Sequence, residues 1–218
     1  MELQNMFYKD RKDAGKQLAS LLMRYKDRKD VLVLALPRGG VVIGNEIAKA
    51  LNCSLDIIIV RNIGHPDNPE FAIGAVSETG VIFLNDNIIS AYNVSKEYLE
   101  KEIKEEMKEI SKRIDLYRSG KGIPILEGKT VILVDDGVAT GATFKAAVST
   151  LKKEKIARLI AALPVSSEDA EEDIKNMVDE WVCPRTLAWF TAVGNYYHDF
   201  KQVSDAKVIE LLKKPSND

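Results

Sequence analysis

The chain has 218 residues, of which 45% are hydrophobic and 29% are charged, with a formal net charge of -2 at pH 7. This composition is that of an ordinary globular protein and excludes a repeat or low-complexity protein. The near-neutral balance gives no reason to expect nucleic acid as a partner, because proteins that bind it carry a basic face.

The first residues contain no apolar stretch that could serve as a signal peptide, and no apolar run approaches the ~20 residues that a helix needs to cross a bilayer. We therefore expect a soluble, cytoplasmic protein without a membrane partner. The two cysteines, Cys53 and Cys183, do not form a C-x-x-C pair. We expect both to be buried small hydrophobic residues and not to form a disulfide.

Four short apolar runs mark the predicted strands, at residues 31–37, 55–60, 131–134 and 158–165. Each run is continuous, which is typical of strands that are covered on both faces, as in a parallel sheet. Helical patterns follow the first and third runs, at 44–51 and 143–153. This alternation predicts an α/β fold with a central parallel sheet flanked by helices.

Two further patterns lie between the second and third runs. Residues 72–84, "AIGAVSETGVIFL", predict a hairpin with its turn at "SETG". Residues 95–118 place apolar side chains at spacings of three and four, which predicts one long amphipathic helix. This helix packs against its own domain or binds a partner, and we favour the first. Residues 119–129 form a connector, so we predict a single domain over 1–218 with a core at about 20–165.

Residues 131–143, "VILVDDGVATGAT", carry the most informative chemistry. Asp135 and Asp136 come where the third strand ends, which is the ligand-binding edge of a parallel sheet. Two adjacent carboxylates repel each other, and they accept hydrogen bonds from a pair of hydroxyls or bind a hydrated cation. The small residues that follow let backbone N–H groups at a helix start approach an anion, ideally a phosphate. The segment therefore predicts a diol site beside a phosphate site.

Residues 35–51, "ALPRGGVVIGNEIAKAL", suggest a second anion site. Again a strand ends, a glycine pair follows, and Arg38 stands before the helix. Taken alone, this pattern is equally compatible with a plain strand-to-helix turn. Neither loop fits G-x-G-x-x-G or G-x-x-x-x-G-K-[ST]. Two anion sites flanking a ribose diol describe 5-phosphoribosyl 1-pyrophosphate (PRPP) as the ligand.

The stretch "VILVDDGVATGAT" resembles the thirteen-residue PRPP-binding signature of type I phosphoribosyltransferases. Residues 7–22, 36–51, 68–76 and 192–205 also resemble predicted phosphoribosyltransferases that carry L-P-R-G-G and N-P-E-x-A-I-G-A motifs. The resemblance covers most of the chain. It implies the type I fold, with a flexible loop or hairpin and a small hood formed by the N-terminal segment and by residues of about 181–212. It also leaves the acceptor substrate open, and it suggests a homodimer.

The resemblance implies a role for each matching residue. Asp135 and Asp136 would hold the ribose hydroxyls and, through water, a Mg²⁺ ion that is bound chiefly by PRPP. The 5-phosphate would be held by Ala139, Thr140, Gly141, Ala142 and Thr143. The pyrophosphate loop would be Pro37, Arg38, Gly39 and Gly40, often with a cis peptide bond. Asp135, Asp136, Arg38 and Arg61 would take part in catalysis, in which a nitrogen nucleophile displaces pyrophosphate at the anomeric carbon.

Two positions depart from the patterns of relatives. Ala139 stands where enzymes for 6-oxopurines usually have aspartate, which weakens a hypoxanthine or guanine assignment. Asn62 follows Arg61 where relatives tend to have lysine. Residues 61–70 should hold the loop that closes over the site, and His65 in that loop is expected to be solvated.

The acceptor side is less informative. Five aromatic residues lie close together in the sequence, and they form either a base-stacking hood or a small satellite core: Trp189, Phe190, Tyr196, Tyr197 and Phe200. The best interpretation is a Mg²⁺-dependent phosphoribosyltransferase with a nucleobase-like acceptor. The alternatives are a PRPP- or nucleotide-binding regulatory protein without turnover, and a hydrolase that uses the same diol and phosphate sites.

Overall fold

The computed structural model describes residues 7–213, apart from the side chain of Glu70. These residues form two compact units. The first unit contains the described residues up to 57, residues 124–141 and the described residues from 154 onward, and the second contains 58–123 and 142–153. The single domain over 1–218 stays a prediction, and its residues 1–6 and 214–218 lie outside the described residues.

Strands and helices alternate along most of the described chain. The strands are β1 (Val31–Ala35), β2 (Ser54–Ile57), β3 (Val60–His65), β4 (Asn68–Ser77), β5 (Ile82–Leu84), β6 (Thr130–Val134), β7 (Arg158–Ala162), β8 (Ser166–Ser167), β9 (Glu180–Val182) and β10 (Thr186–Leu187). The helices are α1 (Arg11–Leu21), α2 (Gly39–Leu51), α3 (Asp86–Ala91), α4 (Lys96–Arg118), α5 (Ala142–Leu151), α6 (Glu168–Lys175) and α7 (Asp205–Leu212). Single 3₁₀ turns cover Met23–Tyr25 and Val193–Tyr196.

The first unit is built on a five-stranded sheet in the order β2-β1-β6-β7-β9, in which every pairing is parallel. All residues of β1 and β6 are buried, as the continuous apolar runs predicted. Helix α2 packs against β1, β2 and β6, and α1 packs against α2. The predicted α/β fold with a central parallel sheet is therefore confirmed. Strands β8 and β10 form a separate two-stranded parallel sheet in this unit.

Local polar groups define where the helices of the first unit begin and end. The Asp10 carboxylate caps α1 by accepting a hydrogen bond from the Asp13 backbone N–H at 2.8 Å. Helix α2 ends at Asn52, whose left-handed backbone is one that asparagine tolerates better than most residues. Ser204 caps α7 through the backbone N–H of Lys207.

The second unit is built on a three-stranded antiparallel sheet in the order β3-β4-β5, against which α5 packs. The hairpin predicted at 72–84 is confirmed by the pairing of β4 with β5. The strand predicted at 55–60 is divided, because β2 ends at Ile57 and β3 begins at Val60 in the other sheet. Residues 61–70 are not an irregular loop, since β3 and β4 occupy most of them as a hairpin.

The long helix predicted at 95–118 is confirmed as α4, and the Ser95 hydroxyl caps it by accepting a hydrogen bond from the Tyr98 N–H. Leu99, Ile110 and Tyr117 are buried, and the helix packs against β3 and β4. Its apolar stripe therefore covers the sheet of its own unit, as expected. No helix between residues 7 and 213 has the length and apolar character to cross a membrane.

The cysteines are unpaired, as expected. Cys53 is buried and Cys183 is half-buried. Burial raises the pKa of the Cys53 thiol to about 12 and that of Cys183 to about 11. Both therefore remain protonated near neutral pH and behave as small hydrophobic side chains.

A buried ion pair joins the β4–β5 turn to the end of α4 in the second unit. The Arg118 guanidinium contacts the Glu78 carboxylate, and their side chains are 7% and 2% exposed. The other carboxylate oxygen of Glu78 accepts a hydrogen bond from the Ile59 backbone N–H at 2.8 Å. Because removal of one partner leaves the other charge buried without compensation, such pairs are costly to break.

We expect Glu78→Gln to lower the free energy of unfolding by about 3 kcal/mol, since the Arg118 charge would stay buried. Urea unfolding followed by circular dichroism measures the change. Glu105→Gln is the matched control, because it removes the same charge from an exposed pair with Lys108 on α4. Equal stability of the two variants would contradict a structural role for the buried pair.

Candidate active site

Two loops meet at the carboxyl edge of the five-stranded sheet because β1 and β6 are parallel neighbours. Ala35 and Val134, the last residues of these strands, are register partners. The pairing continues one residue further, since the backbone N–H of Leu36 donates to the carbonyl of Val134 at 2.9 Å. Strands β1 and β6 are also where the sheet order changes direction, which is the usual ligand position in open α/β sheets.

Gly39 and Gly40 lie directly against the acidic pair. A Cβ atom at Gly39 would lie 2.6 Å from Cγ of Asp136, and one at Gly40 would lie 2.9 Å from the carbonyl oxygen of Val134 and 3.0 Å from Cα of Asp135. Any side chain at these positions would collide with the end of β6. The loop after β1 and the acidic pair therefore form one continuous site in the first unit.

The two carboxylates are half-buried at the end of β6. Burial is the main cause that raises the pKa of Asp135 well above its ordinary value, and the adjacent charge of Asp136 raises it further. Burial also raises the pKa of Asp136, although Arg11 opposes that shift. The backbone N–H of Asp136 donates to Oδ1 of Asp135 at 2.8 Å, which fixes the Asp135 side chain. Such pKa shifts are typical of functional carboxylates.

Arg11 is the site residue that the sequence did not reveal. Its Nε donates to Oδ2 of Asp136 at 2.7 Å, and its NH1 group donates to the Lys201 carbonyl at 2.8 Å. The guanidinium lies over the Phe200 ring, 3.7 Å from its centroid, and the Arg11 side chain is 10% exposed. Arg11 therefore occupies one oxygen of Asp136, whereas Asp135 forms no ion pair with the side chains described between residues 7 and 213.

The C-terminal segment covers the turn after the acidic pair. The Tyr197 hydroxyl donates to the backbone carbonyl of Asp136 at 2.5 Å. Gly137 has a φ of +155°, and a Cβ atom there would lie 2.6 Å from Cγ1 of Val193. Only a glycine combines this backbone conformation with this close approach.

The aromatic residues near the C-terminus divide into two groups. Tyr196 and Tyr197 are buried, and the ring pairs Phe190–Tyr196 and Tyr197–Phe200 each have centroids 5.0 Å apart. Phe190 and Phe200 are half-buried, so the packing is compatible with a satellite core, and the base-stacking hood stays the alternative prediction. Trp189 is 93% exposed and does not belong to it.

Arg38 stands between a cis peptide bond and a helix start. The peptide bond between Pro37 and Arg38 is cis, in agreement with the resemblance, and α2 begins at Gly39. The Arg38 side chain is 32% exposed, and its NH1 group lies 3.6 Å from Oδ1 of Asp205 at the start of α7. The loop thus presents a partly exposed guanidinium beside the N-terminus of a 13-residue helix.

The predicted phosphate loop is anchored by its backbone. The Ser167 hydroxyl donates to the Ala139 carbonyl at 2.6 Å, and the Ser167 N–H donates to the Val138 carbonyl at 3.0 Å. Thr140 is exposed and Gly141 is buried. These hydrogen bonds fix the backbone of residues 138–139. The next residue, Thr140, carries a hydroxyl and is exposed to solvent.

The remaining predicted site residues belong to the second unit. Ala142 is the first residue of α5 and the first residue of this part of the unit. Oγ1 of Thr143 donates to Oδ1 of Asn62 at 2.6 Å. Arg61 forms two hydrogen bonds to the Glu106 carboxylate, at 2.6 and 3.3 Å. Both Arg61 and Asn62 lie on β3 and are engaged in contacts within this unit.

His65 is buried, so the expectation of a solvated loop histidine was wrong. Its side chain packs between aromatic rings, with centroids 6.1 Å from Phe71 and 5.0 Å from Tyr92, and Nδ1 accepts a hydrogen bond from the Asp67 N–H. The cause is the β3–β4 hairpin, which turns at residues 66–67 and places His65 in a strand.

The comparisons with known proteins agree with this geometry. The family model described as "Phosphoribosyl transferase domain" matches residues 4–201. A Mycobacterium tuberculosis protein, named provisionally as a phosphoribosyl transferase, is 37% identical over 211 residues, which is 97% of this chain. This chain spans 47% of the length of that relative. A ribose-phosphate pyrophosphokinase of Marinomonas is 46% identical over 65 residues, or 28% of this chain and 21% of its own.

Solved structures share the fold. A crystal structure of a Thermus thermophilus protein superposes with a TM-score of 0.79 at 40% identity, covering 95% of this chain and 98% of that one. A hypoxanthine phosphoribosyltransferase of Staphylococcus aureus superposes with a TM-score of 0.50 at 14% identity, covering 84% of this chain and 76% of that enzyme. The second likeness concerns the fold alone.

We expect Gly39→Ala to lower the free energy of unfolding by about 1–3 kcal/mol, because the new methyl group collides with Asp136 and disturbs its pairing with Arg11. Thermal unfolding measures the loss. Gly122→Ala is the control, since a Cβ there would meet no heavy atom of the described residues within 4 Å. A Gly39 variant as stable as the control would disprove the close approach.

We expect Asp135→Asn to stabilise the fold at neutral pH. The pKa of Asp135 is higher in the folded protein than in the unfolded chain, where it is about 3.9. Protonated Asp135 therefore stabilises the fold below this pH, and the stabilisation is lost as the pH rises through the folded-state pKa. The advantage of Asp135→Asn should therefore grow from pH 4.5 to pH 8 in urea unfolding.

Asp30→Asn should show the opposite dependence of stability on pH. Hydrogen bonds from Arg28 and Thr130 lower the pKa of Asp30 to about 2, so its contribution is present at neutral pH and is lost only as the pH falls through that value. Asp30→Asn should therefore destabilise at pH 8. Parallel pH profiles for the two variants would refute a raised pKa of Asp135 in the folded protein.

Proposed function

This chain belongs to the phosphoribosyl transferase family, and we propose that it transfers the 5-phosphoribosyl group of PRPP to a nitrogen atom of a nucleobase-like acceptor, with release of pyrophosphate. The observation that carries the proposal is the contact of Gly39 and Gly40 with Asp135 and Asp136, which joins a diol-binding group to an anion-binding loop. The partners in this proposal are small molecules. A cytoplasmic location and a homodimer remain predictions.

The acidic pair has the chemistry that ribose hydroxyls require. Ionised Asp135 can accept hydrogen bonds from a diol, and none of the charged side chains in the described part of the chain forms an ion pair with it. Arg11 holds Asp136 in position, and Tyr197 holds the Asp136 carbonyl. Both contacts orient the pair before a ligand binds, which lowers the cost of binding.

The signature residues after the pair are assigned to the 5-phosphate. Backbone N–H groups of residues 139–143 precede or begin α5, where a helix N-terminus favours an anion. Thr140 is exposed and offers a hydroxyl donor. The Ser167 bond to Ala139 supports this assignment, because an anchored backbone loses less freedom when it binds phosphate.

Residues 37–40 are assigned to pyrophosphate. Negative charge grows on the leaving pyrophosphate as its bond to the anomeric carbon breaks, while the ribose gains positive charge. Arg38 and the backbone N–H groups at the start of α2 would stabilise the first of these charges. The carboxylates of Asp135 and Asp136 would favour the second.

The donor set fits a Mg²⁺ ion that is held mostly by its ligand. Carboxylate oxygens and water are the ligands that Mg²⁺ prefers, and Asp135 and Asp136 supply the former. Between residues 7 and 213 no group of three or more His, Cys, Asp or Glu side chains could hold a metal. The ion would supply charge neutralisation for pyrophosphate when bound. Its coordination would be completed by PRPP oxygens and water.

A second candidate is a PRPP- or nucleotide-binding regulatory protein without turnover. The observation that favours it is the engagement of β3: Asn62 accepts the Thr143 hydroxyl and Arg61 is paired with Glu106. Side chains held in this way are less available to stabilise charge on a reacting ligand. This candidate predicts that the protein binds PRPP but forms no phosphoribosylated product with any base.

The first experiment is isothermal titration with PRPP, with and without Mg²⁺, followed by turnover assays with a panel of nucleobases. The proposal expects Mg²⁺-dependent binding and product with one base. Binding without product for every base would favour the regulatory candidate. Release of pyrophosphate from PRPP alone would favour hydrolysis, and absence of binding would overturn the site assignment.

Site variants test the roles of the two loops. Asp135→Asn combined with Asp136→Asn should abolish Mg²⁺-dependent PRPP binding in a folded protein. Arg38→Ala should weaken PRPP and pyrophosphate binding by about 10- to 100-fold, as loss of a charged hydrogen bond implies, and should spare a nucleoside monophosphate. Equal losses for pyrophosphate and monophosphate would contradict the assigned role of Arg38.

A further inference from the structure

Arg38 already has an anionic partner in this structure. Its NH1 group lies 3.6 Å from Oδ1 of Asp205, the first residue of α7. The two side chains are 32% and 46% exposed, so the pair is accessible to solvent and to a competing anion. A carboxylate therefore sits beside the guanidinium that is assigned to pyrophosphate.

The position of Asp205 is fixed by the segment that leads to it. The Lys201 carbonyl accepts a hydrogen bond from Arg11, and Phe200 lies against the same guanidinium. Helix α7 packs against α2, which begins in the pyrophosphate loop. The Ser204 cap sets the first turn of α7. The packing of α7 against α2 consequently places the backbone of Asp205 near Arg38.

We propose that Asp205 is an affinity-determining residue of the pyrophosphate loop: its carboxylate holds Arg38 in the unliganded protein, and an entering diphosphate must displace it. This inference rests on the proposed function. Displacement costs the ion pair, so Asp205 weakens pyrophosphate binding through Arg38. Because an exposed pair contributes at most about 1 kcal/mol, the effect is about three- to fivefold in affinity.

The weakening has a consequence for the proposed reaction. Pyrophosphate is the product that must leave, and Arg38 would otherwise retain it. A carboxylate that returns to Arg38 as pyrophosphate leaves would favour release. Asp205 thus acts on the affinity of the charged loop and not on the ribose or phosphate contacts.

Asp205→Asn separates this role from a structural one. The substitution removes the charge and keeps the shape of the side chain, and Ser204 continues to cap α7. Loss of a negative charge at a helix N-terminus has a small stability cost. Glu210→Gln is the matched control, since it removes the same charge from an exposed residue of α7 that pairs with Lys207. Asp205→Glu keeps the carboxylate as a second variant.

The test is isothermal titration of inorganic pyrophosphate, with magnesium chloride present, into each variant and into each in an Arg38→Ala background. We expect Asp205→Asn to bind pyrophosphate about three- to fivefold more tightly than wild type, because the ion pair with Arg38 is lost. Glu210→Gln and Asp205→Glu should bind within about twofold of wild type. In the Arg38→Ala background the gain should vanish.

The outcomes distinguish this inference from the proposed function. If wild type binds PRPP and pyrophosphate but Asp205→Asn matches Glu210→Gln, the role of Asp205 is overturned and the proposed function stands. A gain that persists without Arg38 would likewise overturn it. If neither wild type nor Asp205→Asn binds pyrophosphate or PRPP, both the inference and the proposed function fail.

Discussion

The parallel register of β1 against β6 is the constraint on which the candidate site depends. Pairing of Ala35 with Val134 ends both strands at the same level, so that Arg38 and the acidic pair emerge side by side although about a hundred residues separate them in sequence. A shift by one residue would turn the side chains of the strand to the opposite face.

The acidic pair shows how the fold tolerates an unfavourable arrangement. Two adjacent half-buried carboxylates oppose folding, and the raised pKa values express that opposition. Arg11 relieves it most for Asp136, through a direct contact between α1 and the end of β6, and less for Asp135. The strain concentrated at Asp135 is expected where function and not stability selects the residue.

Much of the fold could be predicted from local patterns. The buried strands β1 and β6 and the helix that Ser95 caps follow from apolar periodicity and capping, which are properties of short segments. Strand β9 was missed because it has only three half-buried residues, one of them Glu180. The division of residues 55–60 between two sheets depends on tertiary pairing, which a continuous apolar run does not express.

The sequence predicted the candidate-site residues that stand in recognisable local motifs. It did not predict residues that join the site only through contacts between distant parts of the chain. Asp135, Asp136 and Arg38 stand at strand ends, and a strand end is visible in sequence. Arg11 lies 125 positions from Asp136, within an otherwise ordinary run of charged residues. Nothing in that run distinguishes a solvated arginine from one that contacts a buried aspartate.

The convergence of early and late segments on Asp136 has a consequence for how the protein is made. Tyr8 exchanges backbone hydrogen bonds with Tyr196 and His198, at 2.8 and 2.9 Å, and Arg11 needs the Lys201 carbonyl. Residues 196–201 must therefore be synthesised before Tyr8 and Arg11 have all of these contacts. During translation the parallel sheet can assemble first, and the charged edge is completed only when residues 196–201 have emerged. The proposed ligand site is therefore completed late in the synthesis of the chain.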